Sequence, residues 1–310
     1  PLDWFGDPQG ATISVFAREL VDPVRRAEDL PSLLYLQGGP GGKAPRPVER
    51  SGWLARALRR WRVVLLDQRG TGRSTPVDGD RIAAFGTAQQ AADYLSCFRA
   101  DSIVADAEHL RTTVFGGARW TTLGQSYGGF LTLTYLSRAP EGLSACCVTG
   151  GLASLAPDAR EVYRCTYPRV AAKNRLFQER YPEDTGRVAR IADLLADGVR
   201  LPDGDVLTVR RFQTLGLDFG NNLGLERVHW LLDEAFTDRS AGRLAAGFLN
   251  RVGQLTGYAD APLFAALQES IYGSGAGGPT AWAAERERAC HDAFREDARP
   301  LLCTGEMMYP

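Results

Sequence analysis

The sequence is poor in the features that mark metal, membrane and nucleic-acid proteins. It has 3 histidines and 6 cysteines in 310 residues, and neither type recurs at the spacing of a zinc site. No apolar run approaches the roughly 18–20 residues of a transmembrane helix, and the start of the chain lacks the regions of a signal peptide. Lys and Arg total 36 against 37 Asp and Glu, so no net field attracts nucleic acid or an anionic membrane. We expect no metal, no cofactor, no nucleic-acid partner and no membrane association.

The cysteines contain no C-x-x-C pair; they are Cys97, Cys146, Cys147, Cys165, Cys290 and Cys303. In a chain of this length such a distribution is typical of buried free thiols in a reducing compartment. We therefore expect a cytoplasmic protein. The chain opens without Met and almost directly on a strand-like run, so we expect its true N-terminus to be missing. Nothing in the sequence indicates the number of subunits.

The first half of the chain alternates between short apolar runs and amphipathic stretches. Most of the runs end at or near glycine, and they cover residues 11–20, 30–39, 62–70, 119–129 and 143–152. Residues 102–114 place their apolar side chains on one face of a helix. Short buried strands separated by helices indicate βαβ units and a parallel sheet. Residues 1–152 are therefore interpreted as an α/β core.

The pattern changes after residue 152. Helical spacing of apolar residues predicts helices over 187–198, 225–236, 263–272 and 282–297. Residues 153–299 are interpreted as a helical cap on the core. One last apolar run, "PLLCTGE", opens the segment 300–310.

The stretch "GQSYGG" at 124–129 contains the pattern G-x-S-x-G around Ser126. A serine nucleophile on this pattern needs a strand, a sharp turn crowded by neighbouring chain, and a helix. Residues 121–123 suit a strand, Gly124 and Gly128 relieve the crowding, and "FLTLTYL" suits a helix. The pattern alone occurs by chance in many proteins, but its placement predicts a nucleophile elbow.

A second glycine-rich stretch, "QGGPGG" at 37–42, follows an apolar run. Acyl transfer needs backbone N–H groups aimed at the developing oxyanion, and glycine lets the backbone come close. We expect one donor at Tyr127, after the nucleophile, and the other at Gly39 or its neighbour. A phosphate-binding turn is disfavoured because neither Lys-Ser/Thr nor G-x-G-x-x-G follows.

A third motif, "DQRGTGRS" at 67–74, follows the next predicted strand. Its glycines permit a tight turn. Asp67 and Arg69 could pair with each other and brace the surrounding loops, a structural rather than a catalytic role.

The three motifs, in this order and spacing, resemble the proline iminopeptidase branch of the α/β-hydrolases, and especially its larger type with an extended cap. The phrases "GLERVHWLLDE", "LQESIYG" and "WAAER" extend the resemblance over nearly the whole chain. Gln37 stands where most members of the family have His. The resemblance implies an α/β-hydrolase fold, with a mostly parallel sheet, helices on both faces and a large helical cap. It also implies an exopeptidase that releases N-terminal proline, or another N-terminal residue, through an acyl-enzyme on Ser126.

Such an enzyme acts on peptides with a free N-terminus, and buried carboxylates are the physical means of binding an α-ammonium. The resemblance assigns this role to cap glutamates, and Glu226 and Glu269 lie on the matching phrases. The alternative for each is an exposed helical carboxylate with no role in binding.

No histidine fits as the general base. In this fold the order along the chain is Ser, acid, His, and His109 precedes Ser126. His229 lies within a predicted cap helix, where packing or hydrogen bonding is the more natural role, and His291 lies in a charged helical run with no strand before it. We therefore expect the catalytic acid and base beyond Pro310, with the last core strands missing, and little turnover from these 310 residues alone.

Two other functions remain open on the sequence. An esterase on the same fold would share the nucleophile and the oxyanion donors, but it has no need for paired glutamates. A binding protein that has lost catalysis would be free to lose Gly124, Ser126 and Gly128, and all three are present.

Overall fold

The computed structural model describes residues 1–154, 158–236, 242–273 and 278–310. The chain forms two compact units: Pro1–Ala156 with Tyr258–Ile271, and Pro157–Gly257 with Tyr272–Pro310. The expected boundary after residue 152 lies close to the change of unit. Residues 258–271 belong to the first unit and residues 300–310 to the second.

The first unit is built on a five-stranded sheet. Its strands are β1 (Ala17–Leu20), β2 (Ser32–Leu36), β3 (Arg62–Leu66), β4 (Trp120–Gln125) and β5 (Leu143–Thr149), in the order β1-β3-β2-β4-β5. Strand β1 is antiparallel to β3, and all the other pairs are parallel. Each strand lies inside a predicted run, although β1 is only the last part of 11–20. The predicted, mostly parallel sheet is confirmed.

The helices are short except in the middle of the chain. Among the described residues they are α1 (Gly52–Ala57), α2 (Gly79–Ala83), α3 (Ala88–Ser96), α4 (Ala100–Thr113), α5 (Tyr127–Arg138), α6 (Ala159–Arg180), α7 (Pro182–Ala196), α8 (Val209–Gln213), α9 (Gly224–Asp233), α10 (Ala246–Thr256), α11 (Pro262–Leu267) and α12 (Ala283–Arg288). In this part of the chain no helix is both long and apolar enough to cross a membrane.

Successive residues of β2 and β3 enter two different apolar clusters. Leu34, Leu36, Val64 and Leu66 pack with residues of α4 and α5, whereas Leu33, Tyr35, Val63 and Leu65 pack with α1. Because side chains alternate across a strand, this division means that both faces of the sheet are covered by helices. It explains why these strands are continuous apolar runs in the sequence.

The second unit has a helical core, to which α7, α9 and α10 contribute. Its small sheet consists of β6 (Val199–Arg200) and β7 (Val206–Leu207). The apolar run at 300–306 forms no strand among the described residues. Leu301 and Cys303 are buried in the helical core, and the Thr304 N–H donates to Gln213 O at 2.8 Å.

The predicted helix 282–297 is wrong beyond Arg288, where α12 ends. A short 3₁₀ turn, Asp292–Phe294, follows it. The guanidinium of Arg288 donates to the carbonyl of Phe294, and the Phe294 ring is buried. Burial of that ring brings the chain back toward α12, so a straight helix would lose the contact.

The six cysteines are free, but the prediction that they are buried is wrong for most of them. Cys146, Cys147, Cys165 and Cys290 are exposed, and only Cys303 is buried, where burial raises its pKa to about 12. Two of the exposed cysteines lie on β5, which has a strand neighbour on one side only within the described sheet. An apolar run therefore did not imply burial there.

Candidate active site

Ser126 lies in the turn between β4 and α5 with φ 56° and ψ −122°. A positive φ is strained for any residue with a side chain and is found where the surrounding structure enforces it. The Ser126 N–H donates to Thr149 O at 3.0 Å, and the Gly129 N–H donates to Ser126 O at 2.8 Å. Strand β5 and the first turn of α5 thus hold the serine in place.

The glycines around Ser126 are required by close backbone contacts. A Cβ added to Gly124 would lie 2.1 Å from Gly128 O, and one added to Gly128 would lie 1.9 Å from Leu36 O. A Cβ on Gly151 would lie 1.8 Å from Ser126 O. The crowding predicted for a nucleophile elbow is present. Gly151, near the end of the apolar run 143–152, was not identified from the sequence as part of it.

Residues 37–42, called the glycine loop below, lie directly against the serine. A Cβ on Gly38 would be 2.9 Å from Ser126 Cβ and 3.4 Å from its Oγ. A Cβ on Gly42 would be 2.4 Å from Gly38 O, so this carbonyl points toward Gly42. In a trans peptide the next N–H points the opposite way, which directs the N–H of Gly39 away from Gly42.

The other expected donor, Tyr127, is the first residue of α5. The first N–H groups of a helix have no acceptor within the helix and carry its positive dipole end. The Tyr127 side chain is buried, and burial raises the pKa of its phenol, so the ring is a neutral packing group. Both expected donors therefore belong to backbone segments that flank Ser126.

The glycine loop is anchored at its first residue. Tyr35 donates its hydroxyl hydrogen to Gln37 Oε1 at 2.8 Å, and the buried Gln68 donates from Nε2 to Gln37 O at 2.7 Å. Tyr35 also stacks on Trp53, with ring centroids 4.5 Å apart. The role of Gln68 was not found from the sequence, because its partner lies 31 residues away.

The expected pairing of Asp67 with Arg69 is wrong. Asp67 Oδ1 accepts from Arg46 Nη1 at 2.8 Å and from the Ala44 N–H at 3.1 Å. Arg69 instead donates from Nε and Nη2 to the carboxylate of Asp106, at 2.7 and 2.6 Å. Both residues brace loops, as expected, but Asp67 pairs with Arg46 and Arg69 pairs with Asp106.

Glu269 belongs to the first unit, as Ser126 does. It follows α11, and 7% of its surface is exposed. On one side of it Leu267 packs in the cluster that includes Phe98, and on the other Ile271 packs against the cluster that contains Tyr127. The predicted carboxylate is thus buried, unlike an ordinary exposed helical glutamate.

Glu226 lies on α9 in the second unit. Its Oε1 is 2.6 Å from Arg180 Nη1, and 24% of the glutamate side chain is exposed. This carboxylate therefore already has a cationic partner from its own unit.

The three histidines are engaged with groups other than Ser126. The ring of His109 packs on Trp4, with centroids 5.5 Å apart. His229 Nδ1 lies 2.8 Å from Asp184 Oδ2, the hydrogen-bonding role expected for it. His291 stacks on a tyrosine and has Nε2 3.4 Å from a carboxylate oxygen of Glu287.

Potential metal ligands do not gather in the described ranges, where no group of three or more Asp, Glu, His or Cys residues could hold an ion.

The chain is similar to several known proteins. A family model of the alpha/beta hydrolase fold matches residues 31–190. The chain is 46% identical over 312 residues to a proline iminopeptidase of Aeromonas sobria, covering 100% of this chain and 72% of that protein. It is 32% identical over 313 residues to a proline iminopeptidase of Aspergillus aculeatus, covering 97% and 69%. Among solved structures, a proline iminopeptidase of Mycobacterium smegmatis aligns with a TM-score of 0.38 and 20% identity, over 56% of this chain and 52% of that one.

Proposed function

The chain belongs to the α/β-hydrolase fold family and, within it, to the proline iminopeptidases, and from this premise we infer that it is a serine exopeptidase releasing N-terminal proline from peptides. The observation that supports this most directly is the strained backbone of Ser126, with φ 56°, between β4 and α5. Such a turn presents the hydroxyl at the carboxyl end of the sheet, where a substrate carbonyl can reach it.

In the proposed reaction, Ser126 Oγ attacks the carbonyl carbon of the N-terminal residue. The bond to the leaving amine then breaks, the amine takes up a proton, and water hydrolyses the acyl-enzyme. The N–H groups of Gly39 and Tyr127 are proposed to stabilise the oxyanion. The catalytic acid and base, expected after residue 310, stay a prediction.

We propose that Glu269 binds the α-ammonium of the substrate. Its burial supports this role, because a carboxylate in a water-poor site interacts more strongly with a cation than an exposed one. Glu226, the other carboxylate expected to do so, stays a prediction, and its present partner is Arg180. The division into a core at 1–152 and a cap at 153–299 also stays a proposal.

Neither alternative function is favoured. Two relatives that align over nearly the whole chain are proline iminopeptidases, and an esterase would not need a buried carboxylate such as Glu269. A non-catalytic binding protein would not need glycines without room for a methyl group around Ser126. The proposed cytoplasmic location is supported by six free cysteines, which persist in reducing compartments.

The test compares proline p-nitroanilide with a p-nitrophenyl ester as substrates of the intact protein. We expect release of p-nitroaniline, and Ser126→Ala should lower kcat by at least about 10⁴-fold. Turnover of the ester alone would contradict the peptidase assignment. Undiminished turnover by Ser126→Ala would contradict the nucleophile.

A further inference from the structure

Helix α11 touches the glycine loop, although 220 or more residues of sequence separate the two. Gly41 has φ +74°, and a Cβ on it would lie 2.6 Å from Leu263 Cβ and 3.2 Å from Phe264 N. A Cβ on Gly70 would lie 2.5 Å from Leu263 Cδ1. Leu263 therefore lies between the glycine loop and the turn that contains Gly70.

The loop needs such support from outside itself. Four of its six residues are glycine, and glycine has the weakest conformational preference of any residue. Leu263 is 2% exposed and packs in one cluster with Val77, Phe98 and Leu267. Close-packed side chains resist displacement. Helix α11 is therefore held in a fixed position, and the glycine loop packs against it.

We propose that Leu263 is a positioning residue that holds the oxyanion donor of the glycine loop at its working distance from Ser126. Glu269 lies two residues after the end of the same short helix. Because helix α11 carries Leu263 and leads to Glu269, it sets the distance between the substrate ammonium and the substrate carbonyl oxygen. This distance restricts cleavage to the first residue of a peptide. This second part rests on the proposed function, whereas the positioning of the loop does not.

The experiment measures the rate at which a fluorophosphonate labels Ser126 in the intact protein, together with kcat and KM for proline p-nitroanilide. The phosphonylation step uses the oxyanion donors but no ammonium site. The test variant is Leu263→Ala, which keeps the Cβ next to Gly41 but removes the Cδ1 contact with Gly70 that fixes this helix in place. The matched control is Leu267→Ala, a buried leucine in the same helix and cluster.

Leu263→Ala should slow labelling and lower kcat together by about tenfold, less than the 10²–10³-fold cost of deleting an oxyanion donor, with KM changed by less than about twofold. Leu267→Ala should label within about twofold of the wild-type rate. Equal slowing in both variants would show a merely structural role and overturn the proposal, as would normal labelling of Leu263→Ala.

Two further variants and one control keep the test valid should Leu263→Ala fail to fold. Leu263→Val removes the same Cδ1 contact with less loss of volume and should give the same pattern. Gly41→Ala should slow labelling strongly, whereas Gly116→Ala, at φ +75° with no atom within 4 Å of the added Cβ, controls for backbone strain alone. If the wild type is labelled but does not cleave proline p-nitroanilide, the proposed function fails while the labelling comparison still decides the role of Leu263.

Discussion

At the scale of single residues, the site is defined by the conformation of Ser126 and by the absence of side chains around it. A non-glycine residue in a sparsely populated region costs on the order of 1–3 kcal/mol, which the two backbone hydrogen bonds of Ser126 help to offset. The glycines at 124, 128 and 151 leave no room for a methyl group. The conformation of Ser126 thus depends on the absence of side chains at these neighbouring positions.

Gly151→Ala tests this dependence while Ser126 itself is left unchanged. The new methyl group would lie 1.8 Å from Ser126 O, so the elbow must move. We expect destabilisation of at least roughly 1–3 kcal/mol, as for overpacking, measured by urea unfolding, and a large loss of fluorophosphonate labelling. Gly79→Ala, an exposed position with no atom within 4 Å, is the control and should do neither. Normal labelling of Gly151→Ala would show that the elbow tolerates displacement.

At the scale of elements, two loops that are far apart in sequence are joined by one buried carboxylate. Asp67 follows β3, and it binds Arg46 and the N–H of Ala44, just after the glycine loop. Burial raises the pKa of Asp67, but the hydrogen bonds from Arg46 and from the amides of Arg73 and Ala44 outweigh it, so the pKa lies below its ordinary value. The carboxylate is therefore charged in the folded protein at neutral pH.

This depressed pKa predicts a stability that depends on pH. The stabilisation is complete above the unfolded pKa of Asp, near 4, and is lost as the pH falls through the lower folded pKa. Asp67→Asn should reduce the unfolding free energy by roughly 1–3 kcal/mol at pH 7, and the difference from wild type should shrink below about pH 4.

Urea unfolding across this pH range measures the effect. The control is Asp193→Asn, which removes an exposed pair with Arg299 and should change stability by less than about 1 kcal/mol. If the difference in unfolding free energy between Asp67→Asn and wild type stayed constant down to pH 2, this would contradict the inference that Asp67 is charged in the folded protein.

At the scale of the whole molecule, each of the two compact units carries one predicted ammonium-binding carboxylate. Glu269 is buried in the unit that holds Ser126, and Glu226 is paired with Arg180 in the other. A carboxylate interacts more strongly with a cation where water is excluded, and Glu269 is 7% exposed whereas the Glu226 side chain is 24% exposed. The two glutamates are therefore expected to contribute unequally.

We predict that Glu269→Gln lowers kcat/KM for proline p-nitroanilide by about 10–100-fold, the loss of one charge-assisted hydrogen bond, and that Glu226→Gln lowers it less. Fluorophosphonate labelling should stay normal in both variants, which shows that the elbow is intact. N-acetylproline p-nitroanilide, which has no ammonium group, should not be hydrolysed. Equal turnover of acetylated and free substrates would refute an ammonium site.

The strands, the elbow and the glycine loop were predictable because their causes are local. A strand covered on both faces needs a continuous apolar run, and a strained turn needs glycines within a few residues, so both leave a readable pattern around 33–36 and 124–129. Chain order likewise argues against His109 as the base, because His109 precedes Ser126.

Long-range pairing was decided only in three dimensions. Asp67 and Arg69 are two residues apart, yet they bind partners 21 and 37 residues away, and no sequence pattern distinguishes those partners from other charged residues. The same holds for α11, whose sequence indicates a helix while its packing against Gly41 makes it a support for the active site. Cys146 and Cys147 show the converse, since the exposure of an apolar run depends on which elements cover it, and that is a property of the assembled fold rather than of the run.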